Sequence, residues 1–76
     1  MSQPVTLQLT ADEALVLFDL LGRINEQDDL ELFEHPAEEQ ALWNLESALE
    51  RQLEATHDLQ YDQLLAAARD RLTPQT

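Results

Sequence analysis

Sixteen carboxylates, two histidines and no cysteine make up the side chains of this sequence best suited to chemistry. Two nearby carboxylates can act as general acid and general base in a hydrolase, one protonated and one ionised. With sixteen acids in 76 residues, such pairs arise from composition alone. No other catalytic residue types accompany them. His35 with Glu38 and Glu39 has a loose metal-like spacing, but Pro36 intervenes and no second histidine shares that helix. A calcium loop needs oxygen ligands at alternating positions around a central glycine, and "DDLELFE" at 28–34 has neither. His57 beside Asp58 has no nucleophile near it in sequence. Gly22 is the only glycine, so a phosphate-cradling loop is excluded. The absence of cysteine removes disulfides and thiolate chemistry. The expectation is a protein with no catalytic residues, no metal site and no cofactor.

What remains is charge. Sixteen acids face four arginines and no lysine, a formal net charge of −12. Phosphate backbones and anionic membranes repel such a surface, so neither direct nucleic-acid binding nor membrane binding is expected. A basic protein is the natural counterpart. The plainer reading is that high charge keeps a small protein in solution. The start "MSQPV" has neither a basic nor an apolar leader segment, and the longest apolar run, Ala14 to Phe18, is too short to span a bilayer. A cytoplasmic location is expected.

These charges need elements to position them. Sixteen leucines, with Val5, Val16, Phe18, Ile24, Phe33, Trp43 and Tyr61, can build one small core. "VTLQL" at 5–9 alternates apolar and polar side chains, the pattern of a short half-buried strand. Thr10 and Glu13 form a capping box, opening a helix over 11–27 whose stripe is Ala14, Leu17, Phe18, Leu21 and Ile24. The acidic connection at 28–35 alternates weakly near 29–34, as a second short strand or as an irregular loop. Pro36 opens a helix over 36–54, with Ala41, Leu42, Leu45, Ala48, Leu49 and Leu53 inward. Asp58 is the expected N-cap of a third helix over 59–72, and the tail at 73–76 is expected to fray. The fold class is therefore mainly α (α+β): three helices in one domain, with a short N-terminal strand.

Arg23, Arg51, Arg69 and Arg71 all fall near helix C-termini, where the helix dipole favours cations. Asp19 precedes Arg23 by one helical turn, a supportive pair. Asp12, Glu13, Glu38, Glu39, Asp58 and Asp62 lie at or near helix starts, where the dipole favours anions. The remaining acids lack such a role. Glu26, Asp28, Asp29, Glu31 and Glu34 crowd one connection. Glu46, Glu50 and Glu54 recur every four residues, and each like-charge pair of this kind costs a few tenths of a kcal/mol. At 100° per residue, Glu39 and Trp43 share that side of the helix, making a stripe roughly 22 Å long. An aromatic amid charges is the composition of an interface anchor. The alternative is that Trp43 packs at the edge of the core under residues 28–34, and one ring can do both.

The segments "LTADEALVLFDLL", "PAEEQALWNLESALERQL" and "YDQLLAAARDRL" together resemble a widespread family of short acidic bacterial proteins, from about residue 5 to 72. Its association with neighbouring toxin genes implies an immunity or antitoxin role, and the family has no catalytic motif. The function expected is stoichiometric inhibition of a basic toxin through the surface formed by Trp43, Glu39, Glu46, Glu50, Glu54, Asp28, Asp29, Glu31 and Glu34. The alternatives are an acidic, nucleic-acid-mimicking inhibitor of a nucleic-acid-binding protein, or a small structural protein that forms a homodimer through the strand at 5–9.

Twelve net charges on a small domain repel one another, and compaction sharpens the repulsion. Raising salt from low to physiological concentration should therefore raise the melting temperature. A thermal melt that does not shift would show the acids to be too dispersed to matter.

Overall fold

The computed structural model describes residues 3–26, 32–53 and 59–74. It contains three helices: α1 (Ala11–Glu26), α2 (Pro36–Gln52) and α3 (Tyr61–Leu72). Each starts or ends on local chemistry written in the sequence. At α1 the capping box is formed: Glu13 N–H donates to Thr10 Oγ1 at 3.1 Å, and Thr10 N–H donates to Glu13 Oε1 at 2.9 Å. At α2 the N-cap is His35, in extended conformation, whose Nδ1 accepts the Ala37 N–H at 3.0 Å while Pro36 takes the first helical position. This helix closes at Leu53, whose N–H donates to the Leu49 carbonyl. The N-cap of α3 is Gln60, whose carbonyl accepts the Leu64 N–H. Asp58, the expected cap, lies outside the described residues. Thr73 closes α3 by donating both its N–H and its hydroxyl to the Arg69 carbonyl, at 3.0 and 2.7 Å. That part of the tail is tied down rather than frayed.

The strand expected at 5–9 is absent. Residues 3–10 have no regular structure and are exposed, with Val5 at 86% and Leu7 at 76%. A strand exists only where another strand accepts its ladder, and no strand occurs among the described residues. Of the expected second strand at 29–34, Leu32 is in a short 3₁₀ turn, and Phe33 and Glu34 are irregular. Residues 29–31 lie outside the described residues.

The core has two parts, and α1 belongs to both. Ala14 and Leu21 of α1 bury against Leu49 of α2, with Leu17, Phe18, Leu42 and Leu53 packed around them. On another side of α1, Leu15 buries against Leu65 and Ala68 of α3, flanked by Val16, Tyr61 and Leu64. The Asn25–Glu46 bond and the Ala14–Leu49 cluster set α1 and α2 antiparallel. Bonds from Tyr61 to Asp19 and from Arg71 to Asp12 set α1 and α3 antiparallel.

The inward stripe of α2 differs from the one expected. Leu49 is its one buried residue, and Leu42 and Leu53 are half-buried. Ala41 and Leu45, expected in the core, are exposed. The line that meets α1 runs through Leu42, Glu46, Leu49 and Leu53, a narrow seam of the kind two antiparallel helices share. A six-residue apolar stripe is too wide for one neighbour, so Ala41 and Leu45 fall on its flank.

Candidate functional site

The expected acidic stripe on α2 divides into an inward part and an outward part. Glu46 is half-buried and faces α1, accepting a hydrogen bond from Asn25 Nδ2 at 2.7 Å. Its other carboxylate oxygen lies over Gly22, where an added Cβ would stand 3.4 Å away, in van der Waals contact. Glu46 was expected on the solvent face and is instead part of the α1–α2 contact. A glycine on α1 leaves the carboxylate room, and Asn25 supplies a donor. The remaining oxygen, Asn25 Oδ1, is buried without a hydrogen-bond partner, a cost that the Glu46 bond partly offsets.

Trp43, Glu39 and Glu50 lie on the flank of α2 beside Glu46, at 100° per residue. Trp43 is 44% exposed, so its ring is shared between protein and solvent. Glu39 is half-buried and Glu50 is exposed. One turn before Trp43 stands Glu39, and one turn after it Glu46, so carboxylates bracket the indole along the helix. Glu34 is exposed just ahead of α2, and its N–H donates to Glu38 Oε1 at 3.0 Å. Phe33, Glu34, His35, Pro36 and Glu39 line a shallow cleft of about 160 Å³. Thus Glu34 and Glu39 meet at one end of the α2 flank, with Trp43 and Glu50 along it. Asp28, Asp29, Glu31 and Glu54, the other expected members, lie outside the described residues. Among the described residues, no group of three or more His, Asp or Glu is placed to hold a metal ion.

The arginines have more work than the helix dipole gives them. Arg71 grips Asp12 across the α1–α3 contact with two parallel bonds, Nε–Oδ2 and Nη2–Oδ1, both 2.7 Å. Asp19 accepts from Arg23 one turn away at 3.2 Å, from Arg69 of α3 at 3.0 Å and from the Tyr61 hydroxyl at 3.3 Å. Spacing within a helix revealed the Arg23 pair. The pairs that cross from α3 depend on how the helices dock, which no local spacing reveals. Tyr61 has its hydroxyl pushed above the usual range by desolvation and by the neighbouring Asp19 carboxylate. Three of the four arginines are therefore held by α1 carboxylates. The α2 flank with Trp43 has no such partner among the described ion pairs.

Asn25 and Gly22 were not singled out from sequence. The available signal was a polar residue and a glycine on or beside the side of α1 that carries Ala14, Phe18 and Leu21. That combination marks a place where a neighbouring helix brings a polar group close.

Comparison with protein families, with curated proteins and with solved structures gave no match. The chemistry of the surface is accordingly read from the geometry alone.

Asp12 is held below the usual carboxylate range chiefly by its hydrogen bonds to Arg71, and Glu13 by the Thr10 N–H and hydroxyl. A carboxylate with a lowered folded pKa adds stability at pH values above its unfolded pKa. That stability is lost as pH falls through the folded value, because the unfolded chain takes up the proton first. Relief of the general repulsion acts in the opposite direction, so the clean readout is a comparison. Between about pH 6 and about pH 3, Asp12→Asn should lose less melting temperature than the wild type. Parallel curves would show that the Arg71 bridge contributes nothing to folding.

Proposed function

We propose that this chain is a stoichiometric protein inhibitor, an immunity protein or antitoxin that blocks a basic toxin through the Trp43 flank of α2. The observation that carries this reading is a half-exposed tryptophan bracketed by Glu39, Glu46 and Glu50 on a chain of net charge −12. Trp43 remains 44% exposed amid carboxylates. In a complex, such an aromatic anchor supplies desolvated contact, and surrounding acids steer a cationic cleft towards it. Glu46 is largely committed to Asn25, so the outward carboxylates are Glu34, Glu39 and Glu50, with Asp28, Asp29, Glu31 and Glu54 joining them in this proposal.

No reacting group is needed. Many toxins act on nucleic acid and present basic clefts, and a row of carboxylates can fill such a cleft as phosphates would. Charges at the rim of an interface act mainly on association, and a central aromatic acts mainly on dissociation.

The test begins with capture of the partner from the native host at low salt, identified by mass spectrometry. Its binding kinetics are then measured. Neutralising Glu34, Glu39 and Glu50 to Gln should slow association and flatten its salt dependence. Trp43→Ala should speed dissociation and cost about 2 kcal/mol or more. Both variants should melt near the wild-type temperature, since these side chains lie outside the buried clusters. A partner that binds both variants as fast and for as long as wild type would leave this flank a solvated face and nothing more.

A further inference from the structure

The side of the α1–α2 pair turned away from Trp43 has a different character. At 100° per residue, Leu20 and Ile24 share one flank of α1, with Val16 at its border packed against the Leu15 cluster that α3 covers. On α2, Ala41, Leu45 and Ala48 share the flank opposite Trp43. One cleft brings these flanks to the same side of the pair: in it Ile24 meets Leu32 and Ala41. In a second, Leu7 and Leu9 meet Ala14, Leu49 and Gln52. Of the nine large apolar side chains that remain exposed, Leu7, Leu9, Leu20, Leu32 and Leu45 border this one face.

Surface area indicates how much is left uncovered. A folded monomer of 8.7 kDa is expected to expose about 4,700 Å². This chain exposes 6581 Å². Its radius of gyration is 14.0 Å, where a compact domain of this length has about 11 Å. The excess is of the order of 1,800 Å² over the whole chain, of which the α1–α2 face holds only a part, and a standard protein interface covers about 800 Å² on each partner. The extended residues 3–9 account for part of the excess, and they border the same face.

Charge selects the occupant. Glu13 and Glu38 are the acids on these flanks, and each carboxylate is already bonded to a backbone N–H at its own helix start. Residues 1–11 hold no charged side chain, the longest such stretch in the sequence. A basic partner gains little from such a face. A second copy, also carrying −12, meets the least repulsion here. Ala41 and Ala48 on either side of Leu45 suit a self-complementary contact, with each Leu45 seated against the small residues of the other copy.

We propose that a second copy of this chain covers the α1–α2 face, with α2 against the partner's α2 about a two-fold axis and residues 5–9 at the edge of the contact. The Trp43 flank stays outside this interface, so the dimer presents two acidic surfaces. The inference stands apart from the inhibitor reading, because its readouts need no toxin.

Sedimentation equilibrium of the full chain tests it. The expected mass is twice 8.7 kDa, and Leu45→Glu should weaken association at least about ten-fold, while Trp43→Ala leaves it unchanged. Because Leu45→Glu could unfold a dimer-dependent chain, cysteine scanning supplies an independent readout on a sequence that has no cysteine. Ala48→Cys should join to its own copy through a short bis-maleimide, and Ser47→Cys, on another side of α2, should not. A monomer mass up to about 1 mM would overturn the proposal, even if another protein were found on this face. So would a dimer unaffected by a folded Leu45→Glu variant, or equal cross-linking at 47 and 48.

Discussion

Helix α1 is shared between two small apolar clusters, and the rest of the domain leans on it. Leu21 and Ala14 anchor α2, and Leu15 anchors α3. Six residues are buried among those described, and none of them is larger than leucine. The chain has no disulfide to constrain it. A core of this size leaves little margin, since small domains bury a lower fraction of their surface. Each outer helix is held by α1, so a change on α1 is felt by both clusters while a change on α2 or α3 is felt mainly by one.

The two contacts of α1 differ in kind. Towards α2 it is mostly apolar, with the polar Asn25–Glu46 bond inserted over Gly22. Towards α3 the cluster is small and is bordered by Asp12 and Asp19, which receive Arg71, Arg69 and the Tyr61 hydroxyl. These pairs are partly exposed, so each adds modestly to stability. Their larger effect is on charge distribution. Three arginines are paired with α1 carboxylates, and the Trp43 flank of α2 carries Glu39 and Glu50. The same helix then separates two surfaces: Trp43 among carboxylates on one side, and Leu45 among alanines on the other. The first is the surface proposed for a basic partner, and the second the surface proposed for a copy of the chain.

Much of the helical frame was legible in the sequence because local chemistry sets it. The Thr10–Glu13 box, Pro36 after His35 and the Asp19–Arg23 spacing all act within one helical turn, and all appear as read. What depended on neighbours was not legible. Alternation at 5–9 read as a strand, but a strand needs a partner that local pattern does not supply. Leucine and alanine on α2 read as one broad core stripe, yet one neighbouring helix can cover only a narrow seam, and Ala41 and Leu45 fell outside it. Glu46 read as solvent-facing because its spacing matched Glu50 and Glu54, although Gly22 and Asn25 on α1 draw it inward. The arginines of α3 read as dipole partners, since nothing in sequence separation joins Arg71 to Asp12. In the candidate site, Trp43, Glu39 and Glu50 do share one flank, as periodicity alone required.

The shared role of α1 is open to direct measurement by native-state hydrogen exchange, which ranks segments by the free energy needed to open them. If both outer helices depend on α1, the amides between Ala14 and Leu21 must exchange most slowly, opening only when the whole domain unfolds. Those of α2 and α3 should exchange sooner, through separate partial openings. Amides in α2 or α3 that outlast those of α1 would contradict this account, because the domain would then be organised around a different helix.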